Sequence, residues 1–319
     1  MNLDQRAEAT TRHDDGQGAF RLAVVTVTYN PDIEILARQL DQLPASCLKI
    51  WVDNASQAQA LERLCHLASL RNDLTLVNNA MNVGLAAALN QGCELAMKLG
   101  PDVTHLLLLD QDTEPGEGGV EALSEAFTML ARDDPNLGCI GPNLVDAQTG
   151  LEHGFHQLSG CRWVRRFNVQ DFAVPVINLN GSGTLVTSSL FRTLGGLDAD
   201  FFIDHVDTAW AFRVLQAGYS LFGVPGVKFQ HRMGDRSIRF WLLGWRIWTY
   251  RSPGRHRFLF RNTVRLLRRK GVPICWKIWA PVKLAVTMAV HLVADSARVD
   301  QLKNMWHGLR DGFSWEEVR

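Results

Sequence analysis

The sequence predicts an α/β protein with a mostly parallel sheet flanked by helices, followed by basic and apolar C-terminal helices. Three observations carry this expectation. Apolar runs of strand length alternate with runs of helical spacing over about ninety residues, the pattern of βαβ units. Each polar cluster falls at the carboxyl end of a strand-like run, where open α/β sheets bind ligands. The charge is split along the chain. Residues 1–235 carry 16 Lys+Arg and 28 Asp+Glu, a net of −12, whereas residues 236–319 carry 17 and 5, a net of +12.

The first strand spans 22–28, apolar and rich in β-branched residues. Asn30-Pro31 breaks it, and 33–43 shows helical spacing. A second strand at 49–52 ends in Asp53-Asn54-Ala55-Ser56. Residues 58–69 read as a helix and 74–77 as a third strand. Asn82-Val83-Gly84 makes a turn before a long helix over 85–99. The run 103–109 is a buried strand that stops at Asp110. Beyond Asp112 the rhythm loosens. A helix is expected over 120–131, a short strand over 138–141 and irregular chain over 144–178. A strand at 185–187, a short segment at 191–194 and a helix over 209–217 follow.

With 319 residues, 46% hydrophobic and 21% charged, the chain can bury a sizeable core, which excludes wholesale disorder. Six single cysteines without a CxxC pair exclude a zinc ribbon or disulfide framework and read as inert thiols. Residues 1–20 are polar, lack an apolar stretch, and are expected to form a mobile leader and not a secretory signal. No GxGxxG follows the first strand, and neither GxxxxGK[ST] nor GxSxG occurs. These absences argue against a dinucleotide oxidoreductase, a P-loop NTPase and an α/β-hydrolase.

Asp110-Gln111-Asp112 directly follows the buried strand. Two carboxylates one residue apart on chain leaving a strand suit a hard divalent cation such as Mg²⁺ or Mn²⁺, with phosphate oxygens completing its shell. The Asp53 carboxylate can accept from a base N–H or a ribose hydroxyl, or the cluster can form an Asx turn or a helix N-cap from Asn54 or Ser56. Gly84 frees the backbone to approach a ligand or simply completes a turn. Asp204-His205-Val206-Asp207 places two carboxylates and an imidazole before a helix, so Asp207 is either a general base or a cap. His231 is a lone histidine after an apolar run.

Taken in order, this set resembles the family 2 glycosyltransferases of the GT-A fold. The motifs are Thr28-Tyr29-Asn30-Pro31, Val52-Asp53-Asn54-Ala55-Ser56, Asn82-Val83-Gly84-Leu85 with Asn90 and Gly92, and Asp110-Gln111-Asp112. Gly181-Ser182-Gly183, Gly195-Gly196-Leu197-Asp198, Asp207 and His231 complete it. The stretches 107–113, 202–208 and 257–269 are similar to bacterial L-rhamnosyltransferases of O-antigen and rhamnolipid synthesis, and the resemblance covers residues 21 to 270. It implies a Rossmann-like nucleotide-diphospho-sugar transferase over 21–235. In that reading Thr28, Tyr29 and Asn30 line the nucleotide pocket, Asp53 contacts the pyrimidine, and Asn82 and Gly84 border the pocket. Asp110 lies near the ribose and the metal, Asp112 is the principal metal ligand and His231 the third. Gly181, Ser182 and Gly183 floor the place where donor and acceptor meet. Asp207 matches the inverting base, but Val206 stands where the family commonly has Glu, which keeps Asp204 as a rival. The implied donor is dTDP-L-rhamnose, the implied acceptor a lipid-linked saccharide or glycolipid. A transferase using UDP-galactofuranose or UDP-glucose, and a non-catalytic nucleotide-sugar-binding protein, remain alternatives.

Residues 236–270 hold eleven Lys+Arg and no acid, interleaved with Trp241, Trp245, Trp248 and Tyr250. The following apolar stretch 272–294 carries Lys277, Lys283, Pro273 and Pro281. Its longest uncharged run, 284–294, is far short of the roughly twenty residues a spanning helix needs. The C-terminal region 236–319 is therefore expected to be helical and to lie on an anionic membrane surface, peripheral on the cytoplasmic face, with a solvated basic face over an apolar core helix as the alternative. No nucleic-acid partner is expected, since no binding motif for one is present.

Overall fold

A computed structural model describes residues 20–160, 162–167, 169–232, 237–241, 245–249 and 251–314. The expected leader over 1–20 therefore lies, but for Phe20, outside the described residues. So does Tyr250, and of the side chains of Trp241, Trp245 and Trp248 nothing is described.

The first half alternates as expected. It runs β1 (Leu22–Thr28), α1 (Ile33–Asp41), β2 (Leu48–Asp53), α2 (Ala58–Ser69), β3 (Leu74–Asn78), α3 (Leu85–Leu99) and β4 (His105–Asp110). The second half runs β5 (Thr113–Glu114), α4 (Gly119–Asp133), β6 (Leu137–Asp146), β7 (Phe155–Ser159), β8 (Arg162–Arg166), β9 (Val174–Pro175), β10 (Thr184–Thr187) and α5 (Ser188–Thr193). A single 3₁₀ turn, Ala199–Phe201, precedes α6 (Val206–Gln216) and β11 (Ser220–His231). The C-terminal region holds β12 (Ser237–Trp241), β13 (Trp245–Thr249), α7 (Pro253–Arg268), α8 (Ile274–Ala294) and α9 (Arg298–Phe313).

Among the described residues one sheet dominates, in the order β3-β2-β1-β4-β10-β6-β11-β5, with β9 on β11. Strands β1 to β4 are parallel, β10 is antiparallel to both β4 and β6, and β11 runs parallel to β6. Alternate residues feed two cores. Val25, Ile50, Leu106 and Leu108 pack beneath α3 and α6, whereas Val24, Trp51, Leu107 and Leu109 pack beneath α1 and α4. This double burial is why β4 reads as an unbroken leucine run. Each fully buried leucine contributes about 2 kcal/mol of apolar transfer.

Three segments depart from the sequence expectation. Strand β6 is ten residues long, not four, because it is buried along nearly its whole length between β10 and β11. The irregular stretch contains the β7–β8 ribbon, whose exposed basic residues hide its alternation. Strands β12 and β13, residues 237–241 and 245–249, pair antiparallel where helix was expected.

The C-terminal helices join the main body of the fold. Leu266, Val272, Trp276 and Ala280 enter the same core as β1. A buried polar chain ties α7, α8 and α9 together. His256 Nδ1 meets Gln301 Oε1 at 2.6 Å, Gln301 donates to Asp295 at 2.9 Å, and His291 Nδ1 meets Asp295 at 2.8 Å. The arginines of α7 also turn inward. Arg261 and Arg265 donate to the Asp200 carbonyl, Arg255 meets Asp204, and Arg257 meets Asp311. The outward apolar surface belongs instead to α8, where Ile274, Ile278, Val282, Val286 and Val293 form an exposed ridge at helical spacing. Among the described residues no helix is long and apolar enough to cross a membrane.

Candidate active site

The carboxyl ends of β1, β2 and β4 lie side by side. In register, Thr28 faces Asp53 and Val27 faces Asp110. Asp112 follows in the turn from β4 to β5. Gln39 of α1, fully buried, clamps that turn: its amide donates to the carbonyls of Asp110 (2.7 Å) and Thr113 (2.6 Å) and accepts from Thr26 Oγ1 (3.0 Å). Gln111 then bonds both backbone groups of Tyr29, accepting from its N–H at 2.7 Å and donating to its carbonyl at 3.2 Å. The tip of β1 and the acidic turn are thereby locked together.

Pairing of β11 with β5 delivers the histidine. His231 sits opposite Thr113, whose hydroxyl meets His231 Nδ1 and Ser182 Oγ, each at 2.7 Å. Ser182 Oγ in turn accepts from the Asp110 N–H at 2.9 Å. The outcome is a trio, Asp110, Asp112 and His231, with one ligand atom from each within 4.8 Å of the others. Burial pushes both carboxyls above the usual range, and Asp112 adds to the effect at Asp110. Two hard oxygens and an imidazole suit Mn²⁺ or Mg²⁺, and a divalent cation would relieve the repulsion between these carboxylates.

At the other end of the same edge, Asp53 is fully buried. It accepts from Thr28 Oγ1 (3.0 Å), the Ser56 N–H (2.9 Å) and Ser56 Oγ (2.5 Å), which is the turn geometry the sequence left open. Asn30 completes that turn, with its N–H on Ser56 Oγ (2.7 Å) and its Oδ1 accepting from Gln57 (2.8 Å). Asn54 donates to Asn82 Oδ1 at 2.9 Å, and the same oxygen accepts from the Gly84 N–H at 2.9 Å. Tyr29 stays half exposed at the rim. Gly84 has φ +88, and a Cβ there would lie 2.8 Å from the Cα of Phe202. The Leu85 N–H donates to the Phe202 carbonyl at 2.6 Å, so the turn at Asn82–Gly84 touches the acidic loop before α6.

That loop separates the two rival carboxylates. Asp204 is almost wholly buried and engaged by Arg251 at 3.4 Å and Arg255 at 3.2 Å. Asp207 opens α6, and among the described residues its Oδ1 accepts only from its neighbour Thr208, from the N–H at 2.7 Å. Burial raises the Asp207 carboxyl, and the nearby charges of Asp110 and Asp204 raise it further. Gly181 abuts it, with a built Cβ 3.7 Å from that of Asp207. Gly183 has φ +85 under the Pro142 ring and donates to the Leu108 carbonyl at 2.8 Å. The segment 181–183 thus runs from the Asp110, Asp112 and His231 trio to Asp207.

Sequence reasoning missed the supports. Gln39 and Thr113 carry no motif signal. Arg255 reads as one of many basic residues, although Asp204, Asp110 and Asp112 all raise its affinity for its proton. Asn262 donates to three carbonyls of the acidic loop. Only its place in an Arg261-Asn262-Thr263 triplet within a basic helix could have flagged it.

No protein-family model matches the chain. It is 25% identical over 291 residues to the dTDP-rhamnosyl transferase RfbF of Shigella flexneri, covering 90% of this chain and 94% of that protein. It is 24% identical over 253 residues to the N-acetylglucosaminyl-diphospho-decaprenol L-rhamnosyltransferase of Mycobacterium tuberculosis, covering 68% and 78%. Among solved structures it resembles GalNAc-T7 with UDP, GalNAc and Mn²⁺, with TM-score 0.58, 16% identity, and coverage of 92% of this chain and 56% of that longer one. It also resembles the mannosyltransferase PcManGT of Pyrobaculum calidifontis in complex with GDP-Man and Mn²⁺, with TM-score 0.51, 16% identity, and coverage of 92% and 87%. Fold and sequence agree, and the chain is a glycosyltransferase of the GT-A fold, similar to the family 2 rhamnosyltransferases of bacteria.

Proposed function

We propose that the protein is an inverting, metal-dependent rhamnosyltransferase that moves L-rhamnose from dTDP-L-rhamnose to a lipid-linked saccharide or glycolipid. The observation that carries this is the placement of Asp207, whose carboxylate has no ion-pair partner among the described residues, across the segment 181–183 from Asp110, Asp112 and His231. The rhamnosyl donor is supported by the names of the two sequence relatives.

In this reading Thr28–Asn30 and the Asp53 turn hold the nucleoside, and Asn82 and Gly84 close that pocket. Asp110, Asp112 and His231 would hold the Mg²⁺ or Mn²⁺. A cation there supplies charge to a departing diphosphate. Arg255, facing the same acids, adds a fixed positive charge on the leaving side. The acceptor oxygen attacks the anomeric carbon from the opposite face, the bond from that carbon to the diphosphate oxygen breaks, and Asp207 takes the hydroxyl proton. One displacement inverts the centre and needs one base. Asp204, held by two arginines, positions the loop instead.

The exposed ridge of α8 supports attachment to the membrane interface from the cytoplasmic side, with residues 236–319 as the attaching region. The test is a donor screen. Purified protein with Mn²⁺ or Mg²⁺ is given dTDP-rhamnose, UDP-glucose and UDP-galactofuranose, and nucleoside diphosphate release is scored. Release from dTDP-rhamnose well above the others is expected. Preference for a UDP-sugar would replace the donor assignment.

A further inference from the structure

Thr113 sits beside the acidic trio without belonging to it. It follows Asp112 directly, and its backbone pairs antiparallel with that of His231. Residues directly opposite on such a ladder hold their side chains on one face of the sheet. The pairing is extended by the Arg232 N–H, which donates to the Asp112 carbonyl at 3.2 Å. The Thr113 carbonyl accepts from Gln39 at 2.6 Å, its hydroxyl meets Ser182 Oγ at 2.7 Å, and the residue is wholly buried. A β-branched side chain has few rotamers, so the position of this hydroxyl is narrowly set.

The same hydroxyl lies 2.7 Å from His231 Nδ1. Each imidazole nitrogen has one in-plane direction, filled by a proton or by a lone pair. At Nδ1 that direction is taken by Thr113, although Asp112 Oδ1 lies only 3.4 Å away. This leaves Nε2 to meet a cation. A neutral imidazole that gives its lone pair through Nε2 carries its proton on Nδ1, and here that N–H donates to Thr113 Oγ1. Among the described residues, the Thr113 hydroxyl can then donate only to Ser182 Oγ, which also accepts from the Asp110 N–H at 2.9 Å. One hydrogen-bond chain thus runs from the imidazole of His231 to the backbone of Asp110.

We propose that Thr113 is a positioning residue: its hydroxyl fixes the Nδ1–H form of His231 and so assigns Nε2 as the nitrogen that meets a divalent cation. The inference rests on the reading of Asp110, Asp112 and His231 as a metal site. It adds which atom of His231 binds and what holds the ring in place. Thr113 touches neither substrate nor cation in this account. It acts through His231 alone.

The first test is calorimetric titration of Mn²⁺ into the full-length protein, with and without dTDP. Thr113→Val keeps the shape and removes the hydroxyl. It should weaken Mn²⁺ binding about tenfold or more, the effect of losing the outer partner of a ligating histidine. Binding of dTDP without metal should be unchanged, and Thr113→Ser should recover most of the Mn²⁺ affinity. A merely structural role would not give this selectivity or this rescue. The second test needs no Thr113 variant. Heteronuclear NMR of wild-type protein, labelled at histidine nitrogen and loaded with diamagnetic Cd²⁺, reads the protonated nitrogen of His231, with His231→Gln identifying its signal. The proton should be on Nδ1. A proton on Nε2 would overturn the proposal. So would a folded Thr113→Val that binds Mn²⁺ as well as the wild type or better, since the hydroxyl would then be idle or in competition with the cation for Nδ1. Wild-type protein that binds no Mn²⁺ even with dTDP present would overturn the metal reading itself, and this inference with it.

Discussion

The side-chain amide nitrogen of Asn262 lies 2.7 Å from the carbonyl oxygen of Ile203. The same nitrogen is 2.7 Å from the Phe201 carbonyl and 2.8 Å from that of Asp204. The loop it grips is unusual, since Phe202, Asp204 and His205 all have positive φ, at 60, 58 and 62°. Such positions cost on the order of 1–3 kcal/mol each and persist only where their surroundings hold them. A residue of the C-terminal region therefore sets the backbone that presents Asp207.

Replacing this clamp should uncouple loop and helix. Asn262→Ala leaves buried carbonyls unpaired, and we expect a stability loss of about 1–3 kcal/mol. Transfer should fall at least tenfold while dTDP binding is kept. Thermal unfolding and steady-state kinetics check this. Wild-type turnover in a variant of lowered Tm would show that the clamp supports only the fold.

Metal binding should depend on Asp112 more than on any neighbour outside the trio. Asp112→Asn removes a charge but keeps the shape, and we expect Mn²⁺ affinity to drop at least tenfold with the fold intact. EDTA should abolish transfer by the wild type, and Mn²⁺ should restore it. Calorimetry with Mn²⁺ and dTDP reads the first effect, an activity assay the second.

The elevated carboxyl of Asp207 fixes two signs. A base must be ionised, so the acid limb of kcat/KM should lie above the ordinary aspartate range, with activity falling as pH drops through it. For stability, a folded-state value above the unfolded one means that the stabilising contribution is present at low pH. It is lost as pH rises through the folded value, so ionised Asp207 weakens the fold at neutral pH. Asp207→Asn should therefore raise Tm at pH 7. A lowered Tm would contradict the desolvation argument.

The α8 ridge should govern lipid attachment. Ile278→Glu and Val286→Glu place charges on exposed positions and should fold normally. Both should lose flotation with anionic vesicles. Wild-type flotation should weaken only partly from 0.1 to 1 M salt, as the Debye length shrinks from about 10 to about 3 Å. Undiminished flotation of both variants would place attachment elsewhere.

Much of this was legible from residue order alone. Strands β1 to β4 announce themselves because burial on both faces demands continuous apolar runs. Asp110 and Asp112 stand where such a run ends, and Asp207 stands at the start of a helix. Residues acting through long-range pairing were not legible. His231 reaches Asp112 only because β11 pairs with β5, and 118 residues separate it from its hydroxyl partner Thr113. Asn262 looks like one polar residue among arginines, since hydrogen bonding to carbonyls 58–61 residues away leaves no local pattern. The arginines of α7 suggest a lipid-facing surface by composition, yet several of them bind the loop before α6.

The central claim is that Asp207, and not Asp204, removes the acceptor proton. The direct measurement is the turnover of Asp207→Asn beside Asp204→Asn, with dTDP-rhamnose, Mn²⁺ and one acceptor under identical conditions. Asp207→Asn should lose about 10²-fold or more in kcat at unchanged dTDP affinity. Asp204→Asn should lose less and should lose stability with it, because Arg251 and Arg255 forfeit their partner. An active Asp207→Asn beside a dead but stable Asp204→Asn would contradict the assignment.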